Sequence, residues 1–233
     1  KMAAMGEMIG NIAHQWRQPL SVISTASTGI KLKKEMGTLG EEELLSTMDN
    51  INESTQYLSQ TIDDFRNFFN PNEQNLSMVN IKDIFDKTFN LLSPQYASKG
   101  ITIIKSIDDI TFMTSNNGLI QVLINILNNS RDVLLEKKEE KKYIFINAFK
   151  KRNNLLIEIY DNGNGRDETI INRIFEPYFT TKHKSQGTGI GLYMSQEIVE
   201  KQLNGEILVE NYKYNYEGKN YKGAKFTIKI SLS

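Results

Sequence analysis

Cysteine is missing from the sequence, and proline, histidine and tryptophan are scarce, at four, two and one in 233 residues. Without cysteine there are no disulfides and no thiolate chemistry, which fits a reducing compartment. An excess of charge of either sign is also missing, since 28 Lys and Arg balance 28 Asp and Glu. No overall field draws the chain toward nucleic acid or an anionic membrane, and no nucleic-acid ligand is expected. No apolar run approaches the ~18 residues of a membrane span, and no signal peptide is visible. The chain begins with Lys1 rather than methionine, so it is expected to be part of a longer protein. Any membrane or sensing segment would lie outside it. What remains, 39% hydrophobic and 24% charged, is the composition of an ordinary globular protein.

Two regions follow different patterns. In the first, Ile9, Ile12, Trp16, Pro19, Ile23, Ala26 and Ile30 recur at steps of three and four. After "MGTLGEEE", so do Leu44, Met48, Ile51, Thr55, Leu58, Ile62, Phe65 and Phe69. These are a and d positions of heptads, and the spacing predicts a helical hairpin. A hairpin buries only a narrow stripe, so pairing of two copies into a four-helix bundle is the natural completion. His14 falls at f, facing away from the seam. Such a histidine is ordinarily just a solvated residue, but Pro19, one turn on, leaves the Gln15 carbonyl without its amide partner and is expected to kink the helix.

"FFNPNEQN" (68–75) breaks the pattern and reads as a boundary. Beyond it, helices are expected near 81–98, 116–138 and 190–203. Strands are expected at "ITIIKS", "ITFMTS", "YIFINAFKK" and "NLLIEIYD", and in a final pair around "YNYEGKNYKG". Strands adjacent in sequence suggest antiparallel pairing with helices on one face, an α+β sandwich.

Four stretches of the second region carry chemistry. "LIQVLINILNNSRDVL" places Asn125, Asn129 and Asp132 on one face of an amphipathic helix. Asparagine is a mediocre helix former, and its amide oxygen suits Mg²⁺ alongside phosphate oxygens and water. "IYDNGNGRD" ends a strand in a carboxylate, Asp161, followed by Gly163 and Gly165. A hairpin turn is the common meaning of Asn-Gly. The functional one is a carboxylate that accepts from an adenine amino group, beside glycines that let backbone pass close. "IFEPYFTTKHKSQ" is a basic loop with an aromatic cluster (Phe175, Tyr178, Phe179), and its Lys182 would meet a phosphate. "GTGIGL" (187–192) opens a helix, where free N–H groups and the dipole cradle an anion. It is not a dinucleotide fingerprint, which would want glycine at 192.

In this order, with "GAKF" (223–226), these stretches resemble the nucleotide boxes of the GHKL ATP-binding fold, and "HQWRQPL" resembles the phosphoacceptor box of sensor histidine kinases. The resemblance implies a dimerisation and phosphotransfer domain (1–72) and a Bergerat-type catalytic ATP-binding domain (73–233). It implies ATP and Mg²⁺ as cofactors, with Asn129 on the metal and Asn125 and Asp132 at the nucleotide. Asp161, Gly163 and Gly165 would form the adenine pocket, with Thr227 beside it. Lys182, Gly187, Thr188, Gly189, Gly191 and Leu192 would surround the phosphates. His14 would take the γ-phosphoryl group and pass it to an aspartate of a response regulator. The implied setting is cytoplasmic, as a homodimer, with any membrane attachment through segments outside this chain.

Two departures qualify that expectation, and a third position argues against a rival. The residue after the acceptor is commonly acidic in the family, whereas Gln15 orients a ring but accepts no proton. Gln18 stands where relatives that dephosphorylate their partner often carry Thr or Asn. Asn125 occupies the position where several GHKL hydrolases hold a glutamate to activate water, and an amide is no general base. The alternatives are a GHKL-type ATPase and a dimeric ATP-binding scaffold whose His14 is inert.

Overall fold

The computed structural model describes residues 2–69, 76–136, 141–181 and 189–232. The chain divides into two compact units, one holding Lys1–Phe69 and the other Asn70–Phe179 with Gly189–Ser233.

The first unit is the expected hairpin of α1 (Met2–Glu35) and α2 (Glu41–Phe69). Helix α1 runs through Pro19, whose ring is buried. It ends in a Schellman turn: Gly37 takes φ +68°, its amide bonds Lys34 O at 3.1 Å, and the Thr38 amide bonds Lys33 O at 2.9 Å. Three acids, Glu41, Glu42 and Glu43, then occupy the first turn of α2, where the helix dipole favours them. Glu43 also pairs with Lys33 across the turn.

The seam departs from the expected register. Leu44, Thr47, Ile51, Ser54 and Leu58 are half-buried within the hairpin. Met48 and Ile62, assigned to the seam by their spacing, are 47% and 46% exposed, and Thr55 is exposed too. Thr47 and Ser54 take the helix–helix contact in place of Met48 and Thr55, and Met48 and Ile62 form part of a second face with Leu45. None of the described helices is long and apolar enough to cross a membrane.

The second unit is an α/β sandwich. Its strands are β1 (Leu76–Asn80), β2 (Ile101–Ile107), β3 (Thr111–Ser115), β4 (Lys142–Lys151), β5 (Asn154–Asp161), β6 (Gly205–Tyr216) and β7 (Lys219–Ser231). Its helices are α3 (Ile81–Ala97), α4 (Asn116–Glu136), the short α5 (Glu168–Ile171) and α6 (Gly191–Lys201). The main sheet has the order β2-β4-β5-β7-β6. The expected pairing of β2 with β3 does not occur. β2 lies parallel to β4, and β3 pairs antiparallel with β1 in a separate two-stranded sheet. The chain changes sheets within the short connection: the Asp108 amide still bonds Ala148 O of β4 at 2.8 Å, whereas the Ile110 carbonyl already accepts from the Ile81 amide beside β1 at 2.9 Å.

Strand alternation divides the sheet into two faces. Ile144, Ile146 and Ala148 of β4, Leu155, Ile157 and Ile159 of β5 and Phe226, Ile228 and Ile230 of β7 are fully or almost fully buried. They belong to one core with Leu119, Val122, Leu123, Ile126 and Leu127 of α4 and Ile198 and Val199 of α6. The opposite face carries an aromatic cluster. Phe145 stacks on Tyr160 at 5.0 Å, and Tyr214 and Tyr216 meet Phe145 edge-on at 5.1 and 4.9 Å. Because β6 is not a neighbour of β4 in the sheet, these contacts require the distal β6–β7 hairpin to curl over the sheet.

Candidate functional site

The end of β5 is the centre of the site. Asp161 is 2% exposed, and its parity puts its side chain on the helix-facing side of the sheet with Ile157 and Ile159. Its Oδ1 accepts from the Gly163 amide at 2.7 Å. Burial pushes the carboxyl above the usual carboxylate range, opposed by the Gly163 amide, the Arg166 charge and the Ala224 amide. The Asp161 carbonyl accepts from the Tyr214 hydroxyl at 3.1 Å.

Asn-Gly after β5 is therefore not a hairpin turn. Asn162 extends the β4–β5 ladder by one rung with its side chain: the Tyr143 amide donates to Asn162 Oδ1 at 2.8 Å, and Asn162 Nδ2 donates to Lys141 O at 2.8 Å. Two glycines then allow close approach. A Cβ on Gly163 would lie 2.5 Å from Val133 Cγ1, and one on Gly165, at φ +75°, would lie 2.3 Å from Asn211 Oδ1. Asn211 explains that proximity, since it accepts from the Arg166 amide and donates to the Arg166 carbonyl, both at 2.8 Å. Sequence reading missed Asn162 and Asn211, because asparagine next to glycine signals a turn first and β6 gives no local hint of a partner 45 residues away.

Helix α4 supplies the asparagine face as expected. Asn125 Nδ2 donates to Gly191 O at 3.0 Å and to Ser195 Oγ at 3.2 Å, tying α4 to the first turn of α6. Asn129 Nδ2 donates to Asn125 O at 2.9 Å, which turns its Oδ1 away from the helix backbone. Asp132 is held by its neighbour Arg131, whose Nε and Nη2 reach Oδ1 at 2.8 and 2.7 Å.

Helix α6 begins after Ile190, which provides no side-chain cap, so the first amides of α6 take no bond from that side chain. Gly189, at φ +66°, is pressed against Tyr178: a Cβ there would lie 2.5 Å from the Tyr178 carbonyl carbon. Gly191 is different, since a Cβ would meet nothing closer than 3.7 Å. Phe175 and Phe179 pack on the core rather than standing in a free loop.

Two expected site residues are placed elsewhere. Thr227 pairs with Glu158, on the face of the sheet opposite Asp161, so it is not an adenine-side contact. One residue of strand parity decides this, and Ala224 is the β7 residue on the Asp161 side. Leu192 packs half-buried against the core, a structural role at the start of α6. Lys182, Gly187 and Thr188 lie outside the described residues. His14, Gln15 and Gln18 lie on the helical backbone of α1, with side chains outside the described residues.

Two family models match the chain. One, the histidine kinase-, DNA gyrase B- and HSP90-like ATPase, covers residues 114–233. The other, the phosphoacceptor domain of histidine kinases, covers residues 4–74. Sensor histidine kinase ZraS of Salmonella typhi is 29% identical over 98% of this chain and 46% of its own length. The histidine-protein kinase AtoS of Escherichia coli is 27% identical over 90% and 33%. The chain thus spans less than half the length of these curated relatives. Among solved structures, the catalytic domain of histidine kinase ThkA is 25% identical over 68% of this chain and 96% of that one, with a TM-score of 0.56. ThkA in complex with the response regulator TrrA has the same fold over 100% of this chain and 63% of its own, with a TM-score of 0.74 at 22% identity. A phosphoacceptor-domain model on the hairpin and an ATPase model on the α/β sandwich thus match in succession along one polypeptide, and the chain belongs to the histidine kinase-, DNA gyrase B- and HSP90-like ATPase family.

Proposed function

We propose that this chain is the catalytic core of its kinase: the second unit binds ATP, and the γ-phosphoryl group passes to His14 of the hairpin and then to an aspartate of a response regulator. The observation that carries this reading is the buried, hydrogen-bonded Asp161 at the end of β5, followed by glycines that let the loop close on Val133 and Asn211, in a chain whose hairpin matches a phosphoacceptor model.

Asp161 in its ionised form accepts from the exocyclic amino group of adenine. Gly163 lets the loop close on Val133 and keeps its amide on the Asp161 carboxylate. The uncapped N-terminus of α6 and the Gly189 backbone offer amides to the phosphates. Mg²⁺ fits the Asn129 donor, a neutral amide oxygen turned outward, with the remaining ligands coming from phosphates and water. When bound, the ion neutralises charge on the phosphate oxygens. Asn125 fixes the start of α6.

At His14 a neutral imidazole nitrogen attacks the γ-phosphorus. A P–N bond forms, the P–O bond to ADP breaks, and the other ring nitrogen loses its proton to water. The amide of Gln15 orients the ring without taking that proton. Gln18, one turn on, would supply an amide to hold a water for hydrolysis of the regulator's phosphoaspartate. Self-association through the exposed face of the hairpin, where Leu45, Met48 and Ile62 lie, completes a four-helix bundle. The setting is the cytoplasm.

The test is incubation with γ-labelled ATP and Mg²⁺ beside a His14→Ala variant. Acid-labile, alkali-stable label that disappears with His14 is the expected result. Phosphate release that survives the substitution would mean a hydrolase, and nucleotide binding without label or release would mean a scaffold.

A further inference from the structure

The final hairpin reaches well past the strand it pairs with. β5 accompanies β7 only as far as Tyr160 opposite Lys225, whereas β6 and β7 stay paired from Asn211 opposite Ala224 out to Tyr216 opposite Lys219. Rings anchor this distal arm: Tyr214 meets Phe145 at 5.1 Å and Tyr160 at 5.0 Å, and stacks on Tyr212 at 5.6 Å. From that fixed position Tyr214, Lys222 and Asn211 hold the turn after β5. The Tyr214 hydroxyl donates to Asp161 O at 3.1 Å, the Asn164 amide donates to Lys222 O at 2.9 Å, and Asn211 takes both polar groups of the Arg166 backbone at 2.8 Å.

Asn211 fixes orientation as well as place. Its Oδ1 accepts from the Arg166 amide and its Nδ2 donates to the Arg166 carbonyl, so the side chain stands in for a strand partner that exchanges both bonds. At the other end of the turn, Asn162 is fastened by its own side chain to Tyr143 and Lys141. Between the two clamps lie Gly163 and Gly165, the residue type with the greatest backbone freedom, and among the described residues only the Asn164 amide is bonded outside the turn there. The Gly163 amide is the donor that holds Asp161 Oδ1, at 2.7 Å. Its direction, and with it the direction of the carboxylate, therefore depends on the far clamp. Turn and clamp are in direct contact, since a Cβ on Gly165 would lie 2.3 Å from Asn211 Oδ1.

We propose that Asn211, at the root of the distal β6–β7 arm, is a positioning residue of the base pocket: its amide clamps Arg166 and so fixes the turn whose Gly163 amide aims the Asp161 carboxylate at the exocyclic amino group of adenine. The inference rests on the ATP reading above. It also separates cleanly from folding of the sheet. Asn211 pairs with Ala224 through its backbone, so truncating the side chain removes the clamp and leaves the β6–β7 ladder in place.

The experiment is calorimetric titration of the whole chain with ADP and with inosine diphosphate, which carries a carbonyl where adenine has its amino group, for the parent, Asn211→Ala and Asn211→Asp. The parent prefers ADP. In Asn211→Ala that preference falls about tenfold or more, the worth of a hydrogen bond to a charged group, through lost ADP affinity with inosine diphosphate little changed. Asn211→Asp is isosteric and keeps the Arg166 amide bond, but it sets an acceptor against the Arg166 carbonyl and shows the same selective loss. It carries the test where the alanine variant does not fold. A second readout needs no ligand: hydrogen exchange at the Gly163 amide quickens in both variants. Equal loss for the two nucleotides, an unchanged preference, or Gly163 exchange like the parent's overturns the proposal. Failure of the parent to bind ADP overturns the ATP reading, and equal binding of both nucleotides by the parent overturns the role of Asp161 in it; either result removes this inference as well.

Discussion

Gly223 gives the sharpest steric test of the fold around the site. A Cβ at this position would lie 1.6 Å from the Asp161 carbonyl oxygen and 2.5 Å from its carbonyl carbon, both backbone atoms. Restoring even a tight contact needs a displacement of roughly 1.4 Å between β7 and the end of β5, in an interior packed at crystal density. One hydrogen bond joins β7 to the loop after β5, from the Asn164 amide to Lys222 O at 2.9 Å, and another reaches the displaced carbonyl from β6, from the Tyr214 hydroxyl to Asp161 O at 3.1 Å. Overpacking costs about 1–3 kcal/mol, and each lost bond about 1 kcal/mol. Gly223→Ala should therefore destabilise the second unit by about 3–5 kcal/mol and lower its Tm by on the order of 10 °C. ADP affinity should fall with it, because Asp161 moves. Gly191→Ala is the control: its Cβ meets nothing closer than 3.7 Å, and alanine is the better helix former, so Tm should hold or rise. Scanning calorimetry with and without ADP reads both. A Gly223→Ala protein that melts within about 2 °C of the parent and binds ADP normally would refute the argument.

Three other substitutions test separate parts. Asp161→Asn should abolish ADP binding yet raise Tm at neutral pH. The folded-state affinity of this carboxyl for its proton is raised, so ionising it costs stability as pH rises; the gain over the parent should vanish as pH falls below the range of unfolded carboxylates, and a variant less stable than the parent at neutral pH would contradict this. Met48→Asp should weaken self-association with little effect on the isolated hairpin, because Met48 is 47% exposed in one chain; light scattering over a dilution series would show a lower association constant, and an unchanged one would place the interface elsewhere. Gln15→Glu should speed label incorporation at His14 by supplying a proton acceptor, and a rate equal to or below the parent's would show that Gln15 is not limiting.

Much of the site could be read from sequence because local patterns enforce it. Asn125 and Asn129 share a face by helical spacing alone, and Asp161 ends a strand whose alternation is visible from Leu155 onward. Long-range pairing carried no such signal. β2 and β3 are four residues apart yet join different sheets, since the choice depends on what α4 covers. Thr227 follows the last glycine box in the sequence, but strand parity, a property of one residue's register, sends it to the other face. Leu192 sits among glycines, and only the packing of α6 shows that its side chain belongs to the core. In the hairpin, Met48 and Thr47 are equally compatible with a three-four repeat; the residues the second helix turns toward α1 decide between them.

The two units also carry different chromophores. The single tryptophan of the sequence, Trp16, is in α1, while six tyrosines (143, 160, 212, 214, 216 and 221) belong to the ring cluster on the far face of the sheet. Indole emission excited at long wavelength therefore reports on the hairpin alone, and near-ultraviolet circular dichroism is dominated by the closely coupled phenol rings of the other unit. Unfolding, nucleotide addition or phosphorylation can be followed in each half of the unlabelled protein, with no need to introduce a dye or a cysteine into a chain that has none.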